Sequence, residues 1–243
     1  MNPAKIIKRI LPVFLICCLL AGVFFIKTKA QTIKGDGLTF SEYFHTYDVL
    51  NEREHVRYYD LAASDEVTSP LYEQMKRAIN QIGTDRLPFE TARETAYLVT
   101  SSAKKGERLS QVQIGFFNQD DARPGDFFII SATESDRNPL EGKTIDDNLD
   151  TVGNELKKME LLTGVPVYQQ ILTTNSALLY RYYDLDETKN QIRIVGTQAN
   201  EFYAYYDGYI YHIGYSIDRE KNDSDMQEKM LNLVREYILA ISE

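Results

Sequence analysis

Hydrophobic and polar positions along this chain follow two periods, one typical of helices and one typical of strands. In residues 70–82 the apolar side chains recur on one helical face, between the start signal Ser69-Pro70 and the stop signal Gly83. The Ser69 hydroxyl is expected to cap this helix. Similar one-sided stripes predict helices over residues 145–162 and 225–241.

Elsewhere apolar residues alternate with polar ones in short runs bounded by turn residues, which predicts strands. In one such run Val112 and Ile114 alternate with Gln111 and Gln113, which predicts a strand with one buried face. Residues 38–65 fit either a helix or a strand. The predicted strands cover residues 94–101, 109–118, 126–133, 165–172, 177–185, 191–197, 201–206 and 209–217.

Short connections between the later strands predict an antiparallel meander, with Asp207-Gly208 as a tight hairpin turn. The sequence therefore predicts an α+β fold, in which a curved antiparallel β-sheet carries helices packed on one face. One N-terminal transmembrane helix is expected to precede this domain.

The expected membrane anchor is the charge-free apolar run at residues 10–26. Residues 1–9 then form a short cytoplasmic N-terminus, residues 27–37 a linker, and residues 38–243 an extracytoplasmic domain. Basic residues before the run favour this orientation. A secretory signal peptide cleaved after Ala30 is the alternative interpretation.

Composition limits the partners of the domain. The chain has a formal net charge of −9 although its N-terminal region is basic, so a nucleic-acid partner is not expected. Both cysteines, Cys17 and Cys18, lie in the apolar run, so the exported part has no disulfide.

Several segments together resemble a known family of domains. They are Leu87-Pro88-Phe89, the strand pair ending at Phe117 and continuing through residues 127–130, and the hairpin around Asp207-Gly208 before the last helix. The pattern is similar to the extracytoplasmic half-barrel domains of Gram-positive membrane-anchored and anti-sigma-type proteins, which are related to LolA and RseB. The resemblance implies a non-enzymatic binding or sensing role in the bacterial cell envelope.

No catalytic, cofactor or metal-binding signature occurs in the sequence. His45 and His55 are ten residues apart, a spacing more typical of solvated or half-buried histidines than of a metal site. Asp184 and Asp186 are the paired carboxylates of a possible hydrolase, but their position favours a turn.

Tyrosines near the C-terminus are the candidate ligand-binding residues. In a strand over residues 209–215, alternate residues share one face, and Tyr203 and Tyr205 share a face of the preceding strand. They could line a concave sheet that binds a ligand, or pack as core against the last helix. The candidate set is Tyr203, Tyr205, Tyr209, Tyr211 and Tyr215.

Three functional hypotheses follow. In the first, the chain is a membrane-anchored binding or sensing module, and the concave sheet binds a lipid, a peptide or a partner protein. In the second, it is an accessory scaffold subunit of an envelope or sporulation complex without a small ligand. In the third, it hydrolyses an envelope polymer with paired carboxylates.

Overall fold

The computed structural model describes residues 54–61, 69–102, 108–120, 125–139, 141, 154–173, 180–218 and 222–241. The chain divides into two compact units, Met1–Gly35 and Asp36–Glu243, and all of the described residues belong to the second. Neither helix in this part of the chain has the length and low polarity needed to cross a membrane. The predicted anchor, linker and His45 lie outside the described residues.

The order of helices and strands along the chain largely follows the sequence prediction. In the part of the chain that the structure describes, the two α-helices are α1 (Pro70–Ile82) and α2 (Ser224–Ile241), and a short 3₁₀ helix spans Thr84–Arg86. The first five strands are β1 (Glu54–Asp60), β2 (Arg93–Ser102), β3 (Arg108–Phe117), β4 (Phe127–Glu134) and β5 (Glu155–Leu162). The others are β6 (Val165–Ile171), β7 (Tyr180–Asp186), β8 (Gln191–Thr197), β9 (Asn200–Tyr206) and β10 (Tyr209–Ser216).

The fold is α+β, as predicted. Eight strands form one sheet in the order β1-β2-β3-β4-β10-β9-β6-β5, and β7 and β8 form a separate two-stranded sheet. Every described pairing is antiparallel. The predicted meander is wrong in one respect: β6 pairs with β9, and the β7–β8 hairpin is inserted between them.

Both helices pack on one side of the large sheet, here called the helix face. Met75 of α1 and Val234 of α2 are fully buried in one core with Ile114, Ile130 and Ile213 of the sheet. Each such side chain contributes about 1.5–3 kcal/mol by leaving water. The opposite side of the sheet, which includes Gln113, Ser131 and His212, is here called the hairpin face.

Helix α1 confirms the predicted segment, with one difference at its start. Pro70 occupies the first turn, but Ser69 makes no side-chain capping bond, and its main-chain carbonyl accepts from the N–H of Glu73 (3.0 Å). Gly83 ends the helix at a φ of 84°, a conformation open to glycine. The last helix and the Asp207-Gly208 turn are also confirmed, with positive φ at both turn residues.

The predicted helix over residues 145–162 is wrong where the structure describes it. Glu155–Leu162 is strand β5, which pairs with β6 through a turn at Gly164. Its apolar residues divide between the two faces: Leu161 joins the helix-face core and Leu156 lies in a cluster on the hairpin face. Pairing with a neighbouring strand therefore overrides the local helical pattern. The rest of this segment lies outside the described residues.

Candidate functional site

The strand register separates the predicted tyrosines onto two faces of the sheet. Tyr209, Tyr211 and Tyr215 lie on the helix face; Tyr211 and Tyr215 belong to the main core, and Tyr209 is partly buried against it. Tyr203 pairs with His212 on the hairpin face, and Tyr205 shares that face. The five side chains therefore do not form one aromatic wall, and their role in binding stays a prediction.

The hairpin face is buried as well, which the prediction of one buried face for β3 missed. Gln111 and Gln113 are at most 1 % exposed because the β7–β8 hairpin covers this part of the sheet. The side-chain amide of Gln113 donates to the carbonyl of Tyr183 (2.9 Å) and accepts from its N–H (2.8 Å). The Tyr97 hydroxyl similarly accepts from the N–H of Leu185 (3.0 Å).

Aromatic side chains on β7 fill the space beside these bonds. Tyr180 and Tyr182 pack with Phe117 and Phe127 of the sheet, at ring-centroid distances of 5.9–6.3 Å. Gly214 allows this approach, because a Cβ at that position would overlap the ring of Tyr180. Burial, with the nearby Asp184 carboxylate as a smaller contribution, raises the pKa of Tyr182 to about 12.

An ion-pair network is centred on Asp184 of β7. The Asp184 carboxylate contacts the guanidinium groups of Arg93 (3.0 Å) and Arg193 (3.4 Å). Arg93 also lies over the Phe117 ring, 4.1 Å from its centroid. Asp186 accepts a hydrogen bond from the Thr188 hydroxyl (2.6 Å), and this bond is the main cause of its lowered pKa. Both candidate carboxylates therefore stabilise the hairpin.

A polar cluster lies deeper on the hairpin face. Glu201 Oε2 and His212 Nε2 are 2.6 Å apart, and the Tyr203 hydroxyl donates to the same carboxylate oxygen. The Tyr203 ring stacks on His212 at 4.5 Å, and Tyr180 meets His212 edge-on at 5.0 Å. Glu201 and His212 are each only 4 % exposed, so they form a buried polar cluster within the fold.

A cavity of about 450 Å³ opens where β6 and β10 end and β9 begins. This size is within the usual range for small-ligand sites. Its lining combines three amide side chains, three hydroxyl side chains and three apolar side chains. The residues are Leu172, Thr173, Gln198, Ala199, Asn200, Tyr215, Ser216, Ile217 and Asn222.

Hydrogen bonds hold the walls of this cavity in place. The Asn200 side-chain oxygen accepts from the N–H of Leu172 (2.9 Å), which joins the ends of β6 and β9. The Tyr215 hydroxyl accepts from the Gln169 amide (3.1 Å), and burial raises the pKa of Tyr215. The buried side-chain oxygen of Asn222 accepts no hydrogen bond from the described residues.

The described lining of this cavity is uncharged. Among the described residues that line it, none has a carboxylate, imidazole, amine or thiol side chain. Its amides and hydroxyls can both donate and accept hydrogen bonds, so they suit an uncharged polar ligand. Tyr215 is the one predicted site residue that lines this cavity.

Sequence reasoning missed the amides of this cavity because they lie in or beside connecting segments. Gln198 and Asn200 flank Ala199 in what reads as a polar turn between β8 and β9. The structure buries both Ala199 and Asn200, at 3 % exposure each. An apolar residue within such a short turn was a weak signal that the segment packs inward.

A second cavity, also about 450 Å³, lies between the segment that follows α1 and helix α2. It is lined mainly by charged side chains, among them Asp85, Asp225, Glu228 and Lys229. Across the part of the chain that the structure describes, no three His, Cys, Asp or Glu side chains are grouped to hold a metal ion.

No protein-family model, curated protein or solved structure matches this chain. The resemblance to LolA- and RseB-like half-barrels therefore stays a prediction from the sequence.

Proposed function

We propose that this protein is a membrane-anchored, extracytoplasmic binding module that holds a peptide segment in the cavity at the ends of β6, β9 and β10. The observation that carries the proposal is the composition of that cavity. Amides and hydroxyls surround three apolar side chains, and none of the described residues in the lining has a side chain that is ionised at neutral pH.

The cavity fits a peptide better than a lipid. Peptide main chains carry N–H and C=O groups that match side-chain amides such as those of Gln198 and Asn222. Leu172, Ala199 and Ile217 can contact small apolar side chains. A lipid chain would leave the amide groups without partners, at about 1–3 kcal/mol for each buried group.

The anchor remains part of the proposal because residues 10–26 are apolar and uncharged. In this arrangement the module lies outside the cytoplasm, close to the membrane of a bacterial cell envelope. The ligand is held at the ends of the strands and not on a tyrosine-lined, concave sheet surface. Non-enzymatic sensing or delivery of an envelope peptide fits this geometry.

A direct test is a binding assay on the full-length chain in mild detergent, with a pool of short uncharged peptides and mass spectrometry of the retained fraction. Selective retention of a subset of peptides is expected. Asn222→Leu should weaken their binding about tenfold, the loss expected when a buried hydrogen bond to the ligand is removed.

Asn232→Leu is the matched control, because Asn232 lines the other cavity. It should leave peptide retention unchanged. Retention that is equal in the wild type and Asn222→Leu, or lost equally in both variants, would contradict the assignment of the site.

A further inference from the structure

The edges of the large sheet are protected against further strand pairing. Its outer strands, β1 and β5, both carry charged residues, among them Arg57 and Asp60 in β1 and Lys157 and Lys158 in β5. Both also have a register irregularity in their pairing with the neighbouring strand. Charges and irregularities of this kind are how sheets prevent edge-to-edge association.

Strand β8 lacks this protection. Its sequence from Gln191 to Thr197 contains one charged residue, Arg193, which is paired with Asp184, and it contains no proline or lysine. Its register with β7 is continuous from end to end. None of its seven residues is buried, and Ile194 is 43 % exposed.

Among the described residues β7 is the only strand that pairs with β8, and the other edge of β8 points away from the large sheet. The N–H and C=O of Tyr183 both bond to Gln113, so neither group can bond to Ile194, the residue opposite Tyr183. In an antiparallel ladder opposite residues exchange both bonds or neither. The N–H and C=O of Ile194 therefore face outward, and by alternation those of Ile192 and Gly196 do too.

We propose that β8 pairs antiparallel with β8 of a second copy of this chain, about a twofold axis through Ile194. Ile194 is the midpoint of the seven-residue strand, so this register gives full overlap. It pairs Ile194 with its own equivalent and Ile192 with Gly196. Arg193 then lies opposite Val195, so no like charges are opposed. The result is a continuous four-stranded sheet, β7-β8-β8-β7. This inference is independent of the proposed peptide site.

An isologous contact of this kind is small, but anchoring in one membrane raises the effective concentration of the two copies. The test is sedimentation of the full-length chain in density-matched detergent, which gives the mass of the protein alone. A monomer–dimer equilibrium is expected for the wild type.

Ile194→Pro removes the outward-facing N–H and leaves the β7–β8 bonds intact, because proline is tolerated on the free side of an edge strand. It should raise the dimer dissociation constant by roughly tenfold or more, through the loss of one hydrogen bond from each copy. Ile194→Thr keeps the N–H and a β-branched side chain, and should retain the dimer.

A wild type that is monomeric at all accessible concentrations would overturn the proposal. So would a dimer that Ile194→Pro leaves unchanged, because that dimer would depend on the anchor or another surface. If Ile194→Pro does not fold, as judged by circular dichroism, Ile194→Lys serves instead. It places two like charges opposite each other and should separate the copies.

Discussion

The side chain of Gln113 bonds to both main-chain polar groups of Tyr183, at 2.9 Å and 2.8 Å. At this one residue of β7, a buried side-chain amide makes the two hydrogen bonds that a neighbouring strand would otherwise make. This contact attaches the hairpin edge-on to the large sheet, which leaves β8 as the outer strand.

Gln113→Leu should destabilise the protein by about 2–4 kcal/mol, because it removes two bonds from buried main-chain groups. The side-chain volume is nearly preserved, so packing is a minor contribution. Urea unfolding measures the loss, and hydrogen exchange should show faster exchange at the amide of Tyr183. Gln119→Leu, at an exposed position, is the control and should change the free energy of unfolding by under about 0.5 kcal/mol.

Gly214→Ala should be destabilising by about 1–3 kcal/mol or more, because the added methyl group overlaps the Tyr180 ring. Tyr180→Leu would remove the overlap at the cost of aromatic packing. In a double-mutant cycle, the Gly214→Ala penalty should therefore be smaller in the Tyr180→Leu background. Equal penalties in both backgrounds would show that the two positions do not interact.

Two buried tyrosines should respond differently to the same substitution. The Tyr215 hydroxyl bonds to Gln169, so Tyr215→Phe should cost about 1 kcal/mol. The Tyr237 hydroxyl is buried and has no hydrogen-bond partner among the residues that the structure describes. Tyr237→Phe should therefore be neutral or slightly stabilising, as measured by thermal unfolding. A larger loss for Tyr237→Phe than for Tyr215→Phe would contradict this ranking.

Stability should fall in alkali. Burial raises the pKa of Tyr182 and Tyr237 from the ordinary value of 10.0 to about 12. Because the unfolded chain loses these protons first, the folded state loses stability as the pH rises from about 10 to 12. Chemical unfolding across this range should show a decline, with little change below about pH 9. Tyr237→Phe should reduce the decline.

Local patterns predicted most of the strands, α1 and α2 because each has one short-range periodic signal. The alternation around Val112 and Ile114 correctly predicted β3. It did not show that Gln111 and Gln113 are buried too, because the hairpin that covers them comes about 70 residues later in the chain. The run Tyr180-x-Tyr182-Tyr183 could have indicated this burial, because large aromatic side chains are mostly buried and so many of them in one strand suggest that it packs against the rest of the protein.

The error at β5 has a similar cause. Leu156 and Met159 share a helical stripe with residues before them, yet pairing with β6 decides the structure. The candidate site was only partly predictable for the same reason. Tyr215 belongs to a regular strand and was identified. Gln198, Asn200 and Asn222 come together only through the sheet order, which no local pattern shows.

Native mass spectrometry of the full-length chain, purified from membranes in mild detergent, tests the proposed binding function most directly. A recurrent added mass that leaves on denaturation and fragments as a peptide is expected for the wild type and for Asn232→Leu. Its occupancy should fall in Asn222→Leu. A wild-type spectrum with the bare chain mass, or an adduct equally retained by Asn222→Leu, would contradict a ligand in the cavity at the ends of β6, β9 and β10.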